Sequence, residues 1–92
     1  MSHPLVRILK QVRNAHNVSQ EQLNDCMLLP KNTYRHIERG RRQLPDLQHK
    51  LAEWVQKFED CVQASTEERQ LILKTLSAYI LELLYPLLPD GK

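Results

Sequence analysis

The sequence predicts an all-α fold, and two observations carry that expectation. Apolar residues recur at helical spacing along most of the chain, and only two of its 92 residues are glycine. The length fits one domain, or one compact domain plus an appended element. A chain this short has a modest core, which makes self-association a natural source of added stability.

Leu5, Ile8, Leu9 and Val12 fall at i, i+3, i+4 and i+7 and predict a first amphipathic helix. Residues 14–17 end it, because Asn tolerates the left-handed conformation of a tight interhelix turn. Ser19 reads as an N-cap with Gln22 as its capping-box partner, opening a short second helix that carries Leu23 and Met27. Residues 28–30 form a break. A third helix is expected from about Pro30, where a missing N–H costs nothing, to Arg39. It buries Tyr34 and Ile37, and Gly40 takes the position just past its end.

Residues 41–45 form a basic loop. A fourth helix is expected from about Asp46, with Leu47, Leu51, Trp54, Val55, Phe58 and Val62 on its apolar side; Trp54 and Phe58 are expected in the core. Ser65 with Glu68 is a second capping box, and it starts a last helix carrying Ile72, Leu76, Tyr79, Ile80, Leu83, Leu84 and Leu87. Pro86 and Pro89 bring that helix to its end.

The net charge of +2 hides an asymmetry. Residues 1–45 hold eight Lys/Arg against three acids, and residues 46–92 hold five against eight. A basic half beside an acidic half suggests that the first meets a polyanion, although charge alone equally allows a solvated, mixed surface. Cys26 and Cys61 stand in no metal or redox spacing, and two reduced thiols in a cytoplasmic protein are the simplest account. The four histidines are too scattered for a local metal site, and no metal or cofactor is expected. The apolar run 71–88 is interrupted by Lys74, Thr75, Ser77 and Glu82 on one side, so it reads as amphipathic, with no membrane partner expected. No nucleophile–base pair or phosphate loop appears, so the chain is not expected to be an enzyme.

Two short helices joined by a tight turn, the second polar and basic on its outer face, make a geometry that reads DNA. The run 18–42 resembles the Cro/C1-type (XRE) helix-turn-helix family. The matching residues are Ser19-Gln20-Glu21-x-Leu23 at the start of the second helix, Ile37-Glu38-Arg39-Gly40-Arg41 at the end of the third, and Arg13 six residues before Ser19. The resemblance covers about residues 5–60 and implies a five-helix lambda-repressor-like domain, extended here by the C-terminal helix. Three positions depart from the family pattern: Asn24 stands for Ala, Leu28 for the turn Gly, and Pro30 for a Ser/Thr cap. A leucine at positive φ would be strained, which predicts a different or longer turn.

The resemblance also implies roles. Lys31, Asn32 and His36 fall where the family reads bases in the major groove, with Arg35 beside them; Lys suits guanine O6/N7 and Asn suits adenine N6/N7. Ser19 and Gln20 would hold a phosphate at the second helix, and Arg39, Arg41 and Arg42 would contact the backbone. Arg13 would pair with Glu38 and tie the first helix to the end of the third. Cys26 falls at a position often exposed in the family, which leaves a redox-sensing thiol as a second reading.

Residues 1–63 are thus expected to form the DNA-binding domain and residues 64–92 an amphipathic dimerisation helix. The stripe of Ile72, Leu76, Tyr79, Ile80, Leu83, Leu84 and Leu87 is broad for a helix that packs on one side only. It either folds back as intrachain core or pairs with a two-fold mate; pairing is favoured, because one helix-turn-helix alone binds DNA weakly. The expected function is a transcriptional regulator, most simply a repressor, bound to double-stranded DNA as a homodimer on a palindromic operator. It would be a cytoplasmic protein of bacterial or phage origin. The alternative is an antitoxin or anti-repressor type module whose main partner is another protein.

Overall fold

The computed structural model describes residues 3–45 and 50–85. Those residues form five α-helices and no strand: α1 (Pro4–Ala15), α2 (Gln20–Cys26), α3 (Thr33–Glu38), α4 (Leu51–Val62) and α5 (Thr66–Leu84). The all-α expectation holds among the described residues. None of these helices is long and apolar enough to cross a membrane.

Helix starts follow side-chain chemistry. The capping boxes of α2 and α5 form in full. Ser19 Oγ accepts from the Gln22 N–H at 3.0 Å while Gln22 Oε1 accepts from the Ser19 N–H at 2.9 Å, and Ser65 and Glu68 repeat the exchange at 3.1 and 2.7 Å. The start of α1 carries a cap that periodicity gave no sign of. His3 Nδ1 accepts from the Leu5 N–H at 3.0 Å, with Pro4 at the first helical position.

Helix ends follow a single backbone device. Asn17, Leu28, Gly40 and Gln63 all lie at positive φ, between 56° and 75°. Past each sits a residue whose N–H reaches back to a carbonyl of the last turn: Val18 to Arg13 at 3.2 Å, Leu29 to Asn24 at 3.0 Å, Arg41 to His36 at 2.9 Å, and Ala64 to Glu59 at 2.9 Å. These are paired left-handed caps that satisfy the orphan carbonyls of α1, α2, α3 and α4. Only one of the four uses glycine. The turn after α2 therefore keeps the common geometry, with Leu28 itself at φ 56°.

The third helix starts later than expected. Pro30 opens a turn closed by the Thr33 N–H on the Pro30 carbonyl at 3.1 Å, and Asn32 is left-handed at φ 64°, so α3 begins at Thr33. Proline pushes its predecessor out of helical space, and the chain needs the turn to redirect. Lys50, at φ 62°, marks a fresh start for α4 at Leu51; the expected start at Asp46 and the expected core residue Leu47 lie outside the described residues.

The core sits where the five helices meet. Leu5, Leu9, Leu23, Tyr34, Leu51, Phe58 and Ile72 are all fully buried. The Tyr34 ring stacks beside Trp54 and Phe58, with centroids 6.4 and 6.1 Å away, so both aromatics of α4 are core residues that hold α3.

α5 lies antiparallel along α1. At one end the His3 ring meets Tyr79 edge-on at 4.3 Å and its Nε2 bonds Glu82 Oε2 at 2.9 Å; at the other, His16 Nε2 bonds Glu68 Oε1 at 2.7 Å. This corrects the assignment of the apolar stripe. Ile72 and Leu76, expected at a dimer interface, are buried inside the chain, and Tyr79 and Ile80 pack partly buried against the same cluster. An apolar face next to a complementary helix of its own chain is covered first. Leu84 is half-buried, Leu83 is exposed, and Leu87, with Pro86 and Pro89, lies outside the described residues. The most exposed apolar residues of α5 are Leu73, Leu81 and the capping Tyr85.

The cysteines are a second correction. Cys26 and Cys61 form a disulfide, with Cα atoms 5.9 Å apart, instead of standing as two free thiols. Packing of α2 on α4 brings the last residue of one helix beside the last turn of the other, within bridging range.

Candidate nucleic-acid interface

α3 is six residues long, too short to be helical without support, so its position is set by what surrounds it. Three supports are visible. The first is the aromatic packing of Tyr34, with Ile37 buried beside it.

The second is an ionic cluster at its C-terminal end. Arg13 donates through Nε to Glu38 Oε2 at 2.7 Å and through Nη2 to Oε1 at 3.0 Å, a bidentate pair between α1 and α3. Its Nη1 reaches the Val18 carbonyl at 2.8 Å in the α1–α2 turn. Burial pushes the Glu38 carboxyl up, but the contacts with Arg13, Tyr34 and Gln20 together outweigh it and hold the group below its usual range. The Tyr34 phenol is pushed well above its ordinary range by burial and by the Glu38 carboxylate. Arg13 is raised by its bonds to Glu38, so both partners stay charged.

The third support is Asn24, buried on α2. Its Nδ2 donates to the carbonyls of Leu29 and Pro30 at 3.0 and 3.1 Å, and its Oδ1 accepts from the Tyr34 N–H at 2.9 Å. Asn32, the residue at the N-cap of α3, makes no side-chain cap bond. Asn24 thus does from the neighbouring helix what a Ser or Thr cap would do locally, and it satisfies two turn carbonyls as well. Sequence reasoning noted Asn24 and Pro30 as separate departures. Their compensation becomes visible only once α2 and α3 are packed together.

The cations stand outside this framework. Lys31, Arg35, Arg39, Arg41 and Arg42 are all exposed, and among the described residues none of them is in an ion pair. Lys31 and Asn32 lie in the turn just before α3, not on its first turn. Arg35 projects from the helix, and Arg39, Arg41 and Arg42 follow its end. An open groove of about 550 Å³ lies between α2 and the start of α3, with Lys31, Asn32 and Arg35 on one wall. Its other wall holds Ser19, Gln20 and Asn24, and also the acids Glu21 and Asp25, which temper its positive charge.

Two expected contact residues are partly drawn inward. The Gln20 side chain donates one amide N–H to Glu38 Oε1 at 2.8 Å, which ties it to the buried carboxylate. His36 is half-buried with its ring Nδ1 covered and without a hydrogen-bond partner, so it offers less to a base edge than Arg35 does. Ser19 is exposed, and its hydroxyl serves the capping box. No group of three or more His, Cys, Asp or Glu suited to a metal ion occurs among the described residues.

Compared with known proteins, the chain matches no family model, no curated protein and no solved structure.

Proposed function

We propose that this chain is a sequence-specific double-stranded DNA-binding regulator of the Cro/C1 (XRE) type, a repressor that acts as a homodimer on a palindromic operator. The observation that carries the reading is the cluster of five exposed cations, in no ion pair among the described residues, around a short helix whose inner side is fixed by Tyr34, Glu38 and Asn24. A rigid anchor with exposed cations outside it is what groove reading requires: phosphate contacts set the register, and a few side chains discriminate bases. Lys31, Asn32 and Arg35 are the readers in this proposal. Arg39, Arg41 and Arg42 hold the backbone, and Arg13 with Glu38 is structural.

A random-oligonucleotide selection on the purified protein tests the reading, followed by titration of the enriched site. The expected result is a two-fold symmetric motif. Asn32→Ala should lose about 1–3 kcal/mol at one base position, while Arg41→Ala should weaken all sequences alike and flatten the salt slope by about one unit. Absence of any enriched motif would sink the proposal. The exposed apolar residues of α5 favour the second reading, a module for another protein, if the purified chain proves monomeric and indifferent to DNA.

A further inference from the structure

The disulfide sits at a telling place. Cys26 is the last residue of α2, two residues beyond Asn24, which fixes the turn and the start of α3, and two residues before the left-handed Leu28. Cys61 lies in the last turn of α4. The bond therefore fastens the α2–α3 unit to the helix whose aromatics hold Tyr34. Its two cysteines are also unequally placed. Cys26 is exposed, whereas Cys61 is partly buried against the core. Leu23 and Met27, on either side of Cys26, are buried in the core, and this apolar side is what keeps α2 docked when the bridge opens.

From this geometry we infer that Cys26–Cys61 is a reversible thiol–disulfide lock on the DNA-reading unit. The inference rests on the reading given under Proposed function and adds its regulation. The opening reactant is a small or protein dithiol. Its thiolate attacks the exposed Cys26 sulfur, the S–S bond breaks, and Cys61 leaves as a thiolate that takes up a proton. The reductant's second thiol then attacks the mixed disulfide and releases Cys26. The protein gains two electrons and two protons, and the dithiol becomes a disulfide. The closed form holds the turn, and with it Lys31, Asn32 and Arg35, in one pose. The open form samples that pose only part of the time, and its apparent affinity falls in proportion to that part.

The test compares the selected DNA site with oxidised protein, with protein reduced by dithiothreitol, and with the Cys26→Ser/Cys61→Ser double variant. Far-UV circular dichroism is run on each. Expected are unchanged helicity at 20 °C, DNA affinity about tenfold weaker in the reduced protein and the double variant alike, and recovery of the wild type alone on oxidised glutathione. A bridge closing a 35-residue separation should also raise Tm by at least about 10 °C. Equal affinity of both redox forms, or a thiol pair that oxidised glutathione does not close, would overturn the inference while leaving DNA binding intact. If neither form binds any sequence in the selection, the functional reading fails and the regulatory inference falls with it. If the double variant does not fold, the reversibly reduced wild type decides alone.

Discussion

Leu28 and Asn24 show how single residues set the α2–α3 unit. Leu28 is left-handed and 85% exposed, so its side chain packs little while its Cβ strains the backbone. Leu28→Gly should raise the stability of the protein by about 1 kcal/mol, read as a shift in the urea midpoint at unchanged m-value. A destabilised variant would mean that the leucine makes contacts that outweigh its strain. Asn24 has the opposite character, since a buried amide serves two carbonyls and an N–H. Asn24→Ala should cost about 2–3 kcal/mol, because the partners it leaves are short of hydrogen bonds inside the protein. Asn24→Asp keeps the acceptor for Tyr34 but sets a buried carboxylate oxygen against two carbonyls, and should cost at least as much as Asn24→Ala in the same urea series. These positions were legible in the sequence only as departures from a pattern. Their physical roles depend on backbone dihedrals and on neighbours across the α2–α3 turn.

Between elements, two carboxylates act as ties, Glu38 from α3 to α1 and Glu68 from α5 to α1. Both are held below the usual carboxylate range. For Glu38, the bonds from its neighbours outweigh burial; for Glu68, the bond to His16 leads, helped by the Ser65 cap. A carboxyl whose folded value is depressed contributes stability that is fully present above its unfolded value, about 4.3. That stability is lost as pH falls through the folded value. The wild type should therefore be nearly constant in stability from these two groups above about pH 5 and weaken steeply below about pH 4. Glu38→Gln should remove much of that acid slope and cost about 3 kcal/mol at neutral pH, since it leaves the Arg13 guanidinium uncompensated in a buried place. Urea titrations at pH 3.5, 5 and 7 would check both, and an unchanged acid slope in the variant would reassign the acid sensitivity elsewhere. The helices themselves were largely legible. Periodicity and the two capping boxes located α1, α2 and α5, and Gly40 marked the end of α3. The start of α3 was not, because a left-handed Asn32 has no local signature, and the helix boundary there answers to turn geometry more than to propensity.

At the scale of the whole molecule, the unresolved element in the sequence was α5, and the reason is general. An apolar stripe tells that a helix face is covered but not by what, and the same residues serve an intrachain core or a two-fold mate. The docking of α5 on α1 takes Ile72 and Leu76 for the chain itself. What is left is a second seam, rotated from the first. Leu73, Ser77, Ile80 and Leu84 follow one another at helical spacing of four, three and four, with Leu81 beside them. Leu73 is 60% and Leu81 62% exposed, and Ile80 and Leu84 are half-buried, so this seam borders the core and opens to solvent. A helix apolar on more than one side is ordinarily covered on more than one side. If the proposed homodimer forms through this seam, Leu73→Glu with Leu81→Glu should abolish it. Light scattering should then give a mass near the chain's own 10.9 kDa, where the wild type gives twice that. The fold should survive, because neither side chain belongs to the buried core, and binding to a single half-site should change little. Affinity for the full palindrome should drop by at least about tenfold, since two linked half-sites bind with an effective concentration that separate monomers lack. Ile72→Glu is the contrasting variant. It places a charge in the α1–α5 contact and should unfold the chain instead of merely dissociating it. A wild type that is already monomeric at micromolar concentration, with the same mass as the double variant, would remove the seam as a dimer contact and leave it as the face offered to another protein.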